Sequence, residues 1–394
     1  MTAHPVLRLK RGHDRPRVHP WIFKADVADV SDVAPGTGLT ILDASARFVG
    51  RGFYNPRPTL CCRILTRRDE PFDLAFFRGR LEAALHRPGR SAATTSSPAT
   101  AARLVWSEAD LLPGLVVDRY ADTLVLQCQT LGMTRVRPLL VAALRAVLGD
   151  RPVLDADDDT PAALEGFEPA RGWFDRPGPD DVVVDEGAVR LRVSLGTGHK
   201  TGLYLDQAEN RQRVARLARD RDVLDAFAYT AGFACHALQG GARRALCLES
   251  SPEAIRDAHT NLALNGLTGR AEVRAGNAFD ELRRLGRERA RFGLIILDPP
   301  PFAPSRAALP AAGRGYKDIN LRAMRLLAPG GHLMTFACSH HVTASRFEEI
   351  CREAAADAGI SPWVVEPLTQ AVDHPVLLTV PETRYLNGLL LRAG

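Results

Sequence analysis

The second half of the chain places acidic and polar residues directly after apolar runs, where they could bind a ligand. The first run ends at Asp225, the second at Glu249, and a later one at Asp298. An acid in the first loop suits a cationic ligand, because its carboxylate supplies the opposite charge. An acid after the second run suits the hydroxyl groups of a ribose, because a carboxylate accepts their hydrogen bonds. These residue types predict a ligand with positive charge and a sugar.

The glycine content of the first loop restricts the ligand further. A dinucleotide fingerprint needs three spaced glycines, so that a pyrophosphate can approach the backbone at the start of a helix. Only Gly232 is present here, which argues against a pyrophosphate. S-adenosyl-L-methionine has a ribose, an ammonium and a sulfonium but no phosphate, and we predict it as the cofactor. The candidate cofactor-binding residues are Asp225, Tyr229, Gly232, Glu249, Ser250, Asn277, Ala278, Asp298 and Pro299.

These loops need a scaffold, and the pattern from residue 207 onward predicts one. Helical segments alternate with apolar strands at 222–227, 245–249, 271–275, 292–297 and 332–337, and two strands near 363–367 and 385–391 close the chain. Near-continuous apolar strands of this kind are typical of a parallel sheet that helices cover on both faces. Ligands of such sheets bind at the carboxyl ends of the strands. The sequence therefore predicts an α/β fold, with an unrelated doubly wound domain as the alternative.

The first 68 residues differ from the rest in charge and in pattern. The whole surplus of +5 lies within them, and short strands at roughly ten-residue spacing indicate a small β-barrel. Arg8, Lys10, Arg11 and Arg17 cluster with Trp21, a mixture typical of RNA-binding surfaces. A solvated basic face, with Trp21 in a hydrophobic core, is the alternative.

The middle of the chain predicts a small unit of strands around one helix. Strands at 115–118 and 123–129 precede a helix over 135–148, and strands at 181–185 and 189–194 follow it. The stretch 88–102 is rich in small and polar residues, so we expect an exposed loop there.

Length and composition exclude several classes of protein. The chain has 394 residues, which suits two or three domains. It has no apolar run long enough to span a bilayer and no secretory signal, so we expect a soluble, cytoplasmic protein without a membrane partner. Seven cysteines without a CxxC pair give no sign of a disulfide framework or a metal site.

Motifs along nearly the whole chain carry a family resemblance. They are LPGLVVDRYAD (112–122), TGHKTGLYLDQAENR (197–211), VLDAFAYTAGF (223–233), DPPPF (298–302), YKDINLRAMRLLAPGG (316–331) and CSHH (338–341). In this order the chain resembles the bacterial class I methyltransferases that form 5-methylcytidine in large-subunit ribosomal RNA. The resemblance implies a PUA-like RNA-binding domain over 1–72, a central strand-strand-helix-strand-strand domain over 73–195 and a Rossmann-like catalytic domain over 196–394.

The resemblance also implies partners and further site residues. Large-subunit ribosomal RNA would be the substrate, and His199 and Lys200 would contact it. Tyr204, Asp206 and Gln207 would fold over the methionine end of the cofactor. The chain departs from the family at Ala228 and Ala231, where the first loop usually has a cysteine and a second glycine, and it lacks the cysteine that the family tends to carry two positions upstream of Cys338.

The chemistry implied for cytosine needs a thiol. Carbon 5 of cytosine is a poor nucleophile, and addition of a thiolate to C6 makes it reactive. We expect Cys338 to be this nucleophile, because it follows a predicted strand and precedes two histidines. Asp298 would bond N3 or N4 of the base, and Phe302 would stack on the flipped base. His340 or His341 would remove the C5 proton, and the sequence does not choose between them.

Several alternatives stay open at this point. Lys317 and Arg314 suit phosphate contacts, but a solvated face fits them nearly as well. The enzyme could methylate another RNA position or a small molecule, or the chain could be an RNA-binding or assembly protein without turnover. The target nucleotide, naked RNA or an assembled subunit as substrate, and a homodimer are also undecided by the sequence.

Overall fold

The computed structural model describes residues 5–12, 18–87, 101–195, 202–303, 306–339 and 341–394. Arg17, His199, Lys200 and His340 therefore lie outside the described residues. The chain divides into two compact units. The first contains 1–184, 193–205 and 372–383, and the second contains 185–192, 206–371 and 384–394. Among the described residues, no helix combines the length and the apolar character that crossing a membrane requires.

The first unit begins with a six-stranded sheet in the order β2-β6-β5-β4-β1-β3. Strands β1, β2 and β4 alternate buried residues with less buried ones, so one face packs into a core around Leu7, Ile22, Leu39 and Ile41. The same alternation leaves Arg8 exposed between two buried leucines. The strands are β1 (Val6–Leu9), β2 (Trp21–Phe23), β3 (Val27–Val30), β4 (Thr37–Leu42), β5 (Phe48–Tyr54) and β6 (Leu60–Thr66).

A five-stranded sheet with its helices completes most of the first unit, in the order β11-β10-β9-β8-β7. Asp73 starts the first helix by accepting a hydrogen bond from the backbone N–H of Phe76. The strands are β7 (Ala101–Trp106), β8 (Leu115–Tyr120), β9 (Thr123–Cys128), β10 (Val153–Ala156) and β11 (Arg171–Trp173), and the helices are α1 (Leu74–Leu85), α2 (Leu131–Arg135), α3 (Arg137–Leu148) and α4 (Asp159–Glu165).

The prediction for this middle region was wrong in two details. The strands that follow the helix in the sheet are β10 and β11, while β12 (Asp181–Glu186) and β13 (Val189–Ser194) form a two-stranded sheet of their own. β10 and β11 have four and three residues, which is too short to show a period-two pattern. The sequence therefore indicates only the longer strands β12 and β13. In addition, Ala101 and Ala102 belong to β7 rather than to a loop, and residues 88–100 lie outside the described residues.

The second unit is a seven-stranded sheet in the order β16-β15-β14-β17-β18-β20-β19. Its strands are parallel except β20, which runs antiparallel to both neighbours because its chain returns from the opposite end. The strands are β14 (Asp222–Ala226), β15 (Arg244–Glu249), β16 (Ala271–Ala275), β17 (Phe292–Leu297), β18 (Leu327–Cys338), β19 (Trp363–Leu368) and β20 (Leu386–Arg392). The helices are α5 (Ala208–Leu217), α6 (Gly232–Gln239), α7 (Pro252–Leu264), α8 (Ala278–Arg287), α9 (Leu309–Leu326) and α10 (Ala344–Ala358).

The register of this sheet brings the predicted site residues to one edge. Asp225 lies opposite both Cys247 and Ile296, and Leu297 lies opposite Thr335. Asp298 follows Leu297 directly, and Cys338 ends β18 three residues after Thr335. Since parallel strands end at the same edge, the carboxyl ends of β14, β15, β17 and β18 gather their side chains there.

Candidate active site

Asp225 is fully buried, and its two carboxylate oxygens differ in their hydrogen bonding. Oδ2 accepts a hydrogen bond of 3.0 Å from the backbone N–H of Ala234 in α6. Oδ1 is buried and finds no hydrogen-bond partner among the residues that the structure describes. Burial, helped by the negative charges of Asp298 and Glu249, raises the pKa of Asp225 to about 8. A cation placed beside Oδ1 would relieve both effects.

The loop after Asp225 has an unusual backbone. Phe227, Tyr229 and Ala231 have positive φ angles of 66°, 47° and 60°. Each such residue costs about 1–2 kcal/mol because its Cβ crowds the following carbonyl oxygen. Strain of this kind concentrates where a loop must approach a ligand. Ala231 occupies the position where the resemblance implied a glycine, so this chain adopts a positive φ there with a side chain present.

Gly232 has a steric role as well. A Cβ atom built on it would lie 3.1 Å from Cδ of Arg211, which is closer than ordinary van der Waals contact. Arg211 is itself buried and held by both carboxylate oxygens of Glu186, each at 2.6 Å. A larger residue at position 232 would therefore push against a side chain that has little freedom to move.

Glu249 connects the first two loops. One carboxylate oxygen accepts the backbone N–H of Tyr229 at 2.8 Å. The other accepts the N–H groups of Ser250 at 2.7 Å and Ser251 at 2.9 Å. An ionised carboxylate has about four acceptor positions, so one remains for a ligand hydroxyl group.

The third loop has a clear structural function. Oδ1 of Asn277 accepts the backbone N–H of Phe279 at 2.9 Å and so caps α8. Asn277 is exposed, whereas Ala278 is buried. The assignment of both residues to an adenine site stays a prediction.

Asp298 and Cys338 meet at the centre of this edge. The Cys338 thiol donates to Oδ1 of Asp298 at 3.5 Å. The Gln207 side chain donates to the same oxygen at 3.0 Å. Burial raises the pKa of Asp298 to about 7, with the charge of Asp206 adding to the effect. This carboxyl group can therefore both donate and accept a proton near neutral pH.

Cys338 differs from the other cysteines in its surroundings. It is half-buried at the end of β18, whereas the remaining six cysteines are buried. Three of these, Cys128, Cys235 and Cys247, lie inside a strand or a helix, as the sequence predicted for structural thiols. His341 is the last residue of the CSHH motif, and its backbone N–H donates to the hydroxyl group of Ser339 at 3.4 Å.

Some residues at this edge were missed by sequence reasoning. Tyr385 donates from its hydroxyl group to Oδ2 of Asp206 at 2.6 Å. The backbone carbonyl of Asp206 accepts the N–H of Ala371 at 2.8 Å. Asn210 donates to the Gln207 side chain at 2.6 Å and so orients it. Tyr385 lies far from Asp206 along the chain, and no local pattern could have connected the two.

The predicted RNA-binding residues of the first unit fall into two groups. Arg8, Lys10 and Arg11 are exposed, as a phosphate-binding surface requires. Trp21 is half-buried, and its indole N–H donates to Glu108 at 2.8 Å. Its ring also packs edge-on against His19, with centroids 4.9 Å apart. Trp21 thus makes contacts within its own unit, and base stacking by this residue stays a prediction.

Two predicted RNA-binding residues of the second unit also have partners. The half-buried ring of Phe302 packs against Tyr316 and Phe279, with centroids 4.7 and 5.7 Å apart. Lys317 forms ion pairs with Asp357 at 3.0 Å and Glu353 at 3.4 Å.

Tyr204, one of the predicted cofactor-binding residues, is half-buried and belongs to the first unit.

The second unit's edge fits the predicted cofactor. Oδ1 of Asp206, like Oδ1 of Asp225, is buried without a hydrogen-bond partner in the described part of the chain. Buried carboxylate oxygens without partners call for a cation or a hydrogen-bond donor. A sulfonium, an ammonium and ribose hydroxyls supply these groups, whereas a pyrophosphate would add negative charge to a site that already carries several acids.

Comparison with known protein families supports the cofactor that these site residues indicate. A family model described as "S-adenosylmethionine-dependent methyltransferase" matches residues 167–383. A second, described as "PUA-like domain", matches residues 7–67. The matches bear out the expected fold class, with a PUA-like β domain ahead of a Rossmann-like α/β domain.

Curated relatives match the chain from end to end. A protein of Tolumonas auensis named "Ribosomal RNA large subunit methyltransferase I" is 38% identical, with 100% of each chain covered. A protein of Cronobacter sakazakii with the same name is 37% identical, with 98% of each chain covered.

Solved structures share the fold at lower identity. One chain, complexed with SAH, superposes with a TM-score of 0.85 at 17% identity and covers 99% of this chain and 100% of its own. Another, from Streptococcus mutans, has a TM-score of 0.84 at 17% identity and covers 98% and 99%.

Proposed function

Because the chain belongs to the S-adenosylmethionine-dependent methyltransferases, we propose that it methylates C5 of a cytosine in large-subunit ribosomal RNA. The observation that carries the proposal is the contact between the Cys338 thiol and Asp298 at 3.5 Å. Methylation of an exocyclic amino group needs no thiol, whereas activation of cytosine C5 needs a nucleophile at C6. The names of the full-length relatives support ribosomal RNA as the substrate.

The loops of the second unit would hold the methyl donor. S-adenosyl-L-methionine supplies an electrophilic methyl group when it is bound. Asp225 and Asp206 each have a free, buried carboxylate oxygen that suits its positive charge. Glu249 keeps one acceptor position for the ribose. Tyr229, Gly232 and Ser250 belong to the same loops and would contact the cofactor. Asn277, Ala278, Pro299, Tyr204 and Gln207 complete the proposed cofactor site.

Cys338 and Asp298 would prepare the base. The thiol can pass its proton to the Asp298 carboxylate that it already contacts, which leaves the thiolate to add to C6. The protonated carboxyl group then donates to N3 of the cytosine and withdraws electrons from the ring. After the methyl group reaches C5, a base removes the C5 proton and the bond between sulfur and C6 breaks. His340 and His341 are the candidates for that base.

The first unit would bring the RNA to this site. Arg8, Lys10, Arg11 and Arg17 supply positive charge for phosphates, and Trp21 adds an aromatic ring. His199, Lys200, Phe302 and Lys317 are further proposed contacts to the RNA. We divide the chain into an RNA-binding domain (1–72), a central domain (73–195) and a catalytic domain (196–394). An enzyme for bacterial ribosomal RNA acts in the cytoplasm, where we place it.

The test measures which nucleoside of the RNA receives the labelled methyl group. Ribosomal RNA from cells that lack the gene is incubated with tritiated S-adenosylmethionine and one of three proteins. We expect wild type and Cys351→Ala to produce labelled 5-methylcytidine, and Cys338→Ala to lose at least about 1000-fold in rate, the scale seen when a catalytic nucleophile is removed. Cys351 is a buried thiol of α10, so its variant controls for loss of a cysteine as such.

Three other outcomes have different meanings. Label in a different nucleoside would refute cytosine C5 as the target. Turnover by Cys338→Ala at the wild-type rate would refute the thiol mechanism. Absence of label on naked RNA leads to the same assay on assembled 50S subunits, and absence there as well would refute the activity.

A substrate analogue tests the covalent step itself. RNA with 5-fluorocytidine at the target has no C5 proton, so the bond between Cys338 and C6 cannot break after methyl transfer. We expect wild type to form a complex that survives denaturing electrophoresis and Cys338→Ala to form none. Equal amounts of complex from both proteins would place the nucleophile elsewhere.

A further inference from the structure

The seven-stranded sheet of the second unit, hereafter the catalytic sheet, carries a row of arginines at its amino edge. This edge is opposite the candidate active site. Arg244 begins β15, Arg270 precedes β16, Arg291 precedes β17 and Arg392 ends the antiparallel β20. The register places them side by side, since Arg244 lies opposite Asp222 and Arg392 opposite His332. Neighbouring strands are about 4.8 Å apart, so the row crosses most of the sheet.

The acidic residues of this edge balance only part of the charge. Asp222 pairs with Arg244 at 3.0 Å and with the adjacent Arg243 at 3.2 Å. Glu272 pairs with Arg274 at 2.7 Å. Arg270 and Arg291 are exposed, and neither forms an ion pair with any carboxylate in the described residues.

Backbone contacts nevertheless hold these two guanidinium groups in place. Arg270 donates to the carbonyl of Ala242 at 3.1 Å, and Arg291 donates to the carbonyl of Ala290 at 2.9 Å. A guanidinium has five N–H donors, so each keeps several for a ligand. Arginines fixed in this way lose less conformational freedom when they bind a phosphate.

A cavity of about 440 Å³ opens between these arginines. Arg244, Arg270 and Arg291 line it, Val223, Leu246 and Phe292 contribute apolar surface, and the carboxylates of Asp222 and Glu272 also belong to the lining. Its volume lies in the range of small-molecule sites, about 300–1,000 Å³. A recess with both apolar and guanidinium surface suits one unstacked base with its flanking phosphates, and the two carboxylates that line it are paired with Arg243, Arg244 and Arg274.

We propose that this amino edge is a second RNA-binding surface, in which Arg270 and Arg291 bind phosphates around an unpaired nucleotide. The proposal rests on the proposed function, since it assumes an RNA substrate. The strands of this sheet have five or six residues in their shared part, a length of about 17–20 Å. A folded RNA larger than this could contact the surface while its target base occupies the active site at the other end.

The test compares RNA binding by two double variants of the full-length protein. Arg270→Ala/Arg291→Ala removes the proposed phosphate contacts, and Arg171→Ala/Arg176→Ala removes two exposed arginines of the first unit, in β11 and just after it, as a charge-matched control. We expect the first variant to bind ribosomal RNA about 10-fold more weakly at 0.1 M salt. The slope of log K against log salt should fall by about 1.5, since each phosphate contact contributes about 0.7–0.9.

Two further measurements distinguish an effect on this surface from an effect on the active site. S-adenosylmethionine affinity by calorimetry and turnover at saturating RNA should match wild type, because the cavity is at the opposite end of the strands. Binding of the edge variant equal to wild type, or an equal loss in the control, would overturn the inference. Failure of wild type itself to bind ribosomal RNA would instead overturn the proposed function.

Discussion

We expect two carboxyl groups, Asp225 and Asp298, to make cofactor binding depend on pH. Their pKa values are raised to about 8 and about 7, so both are largely protonated at pH 6. A bound sulfonium or ammonium favours the ionised form, so binding releases protons. We therefore expect the affinity for S-adenosylmethionine to rise up to about 10-fold per pH unit between pH 6 and 8 for each proton released, and to level off above that range.

Calorimetry in buffers of different ionisation enthalpy measures this proton release directly. Asp225→Asn removes one of the two titrating groups and should flatten the pH dependence while it weakens binding. Asp222→Asn is a suitable control, because Asp222 lies at the other end of β14 and its pKa is lowered by Arg244 and Arg243. Affinity in wild type that stays constant from pH 6 to 8 would contradict the assignment of these carboxylates to the cofactor site.

Residue chemistry was only partly predictable from the sequence. Asp225, Glu249, Asp298 and Cys338 stood out because an isolated polar residue after an apolar strand has few structural uses. The roles of Asn277 and Trp21 were less visible, since a helix cap or an indole hydrogen bond to Glu108 depends on a partner that the sequence does not identify. Tyr385 could not be found, because its contact with Asp206 joins positions distant in the chain.

At the scale of elements, Asn261 connects α7 to the first cofactor loop. Its side chain is fully buried, donates to the carbonyl of Thr230 at 3.0 Å and accepts the N–H of Arg192 in β13 at 2.8 Å. Asn261→Ala leaves two backbone groups without partners, at a cost of about 1–3 kcal/mol each. We expect a loss of about 2–5 kcal/mol in the free energy of unfolding and weaker S-adenosylmethionine binding.

Denaturant unfolding and calorimetry check this prediction, with Asn265→Ala as the matched control. Asn265 lies one turn later on the same helix and bonds the same hairpin at Arg190 through both side-chain atoms. It is half-buried and does not contact the Thr230 loop, so its variant should lose less stability and keep its cofactor affinity. Equal effects of both substitutions on cofactor affinity would show that Asn261 does not support the loop.

The elements of the catalytic sheet were predictable because both of its faces are covered. Strands such as Phe292–Leu297 are then apolar throughout and contrast with the amphipathic helices between them. The central sheet lacked this contrast at β10 and β11, which are too short for a pattern. The antiparallel direction of β20 was also not predicted, since an apolar strand has the same sequence pattern in either direction.

At the scale of the whole molecule, RNA binding and cofactor binding should be separable by mutation. Arg8→Ala/Lys10→Ala/Arg11→Ala removes three exposed charges of the first unit. We expect the KM for ribosomal RNA to rise about 10-fold or more and the salt slope to fall by about 2, because phosphate contacts are lost. Affinity for S-adenosylmethionine should not change, since none of these three residues belongs to the proposed cofactor site.

Filter binding over a range of salt concentrations tests this separation. Arg171→Ala/Arg176→Ala/Arg145→Ala serves as the control, because it also removes three charges from the first unit, all of them paired with carboxylates. An unchanged RNA affinity in the first variant would show that the basic strand is only a solvated face. An equal loss in both would indicate a general effect of net charge.

The distribution of thiols has a consequence for how the protein ages and how it can be handled. Burial raises the pKa of Cys61 to about 11 and of Cys235 and Cys351 to about 12, so these thiols stay protonated and inert in the folded state. An oxidant or an alkylating reagent therefore meets Cys338 first. If Cys338 is the nucleophile, as we propose, one chemical event ends methylation while the fold persists, and the damaged molecule would compete with intact copies for the same RNA.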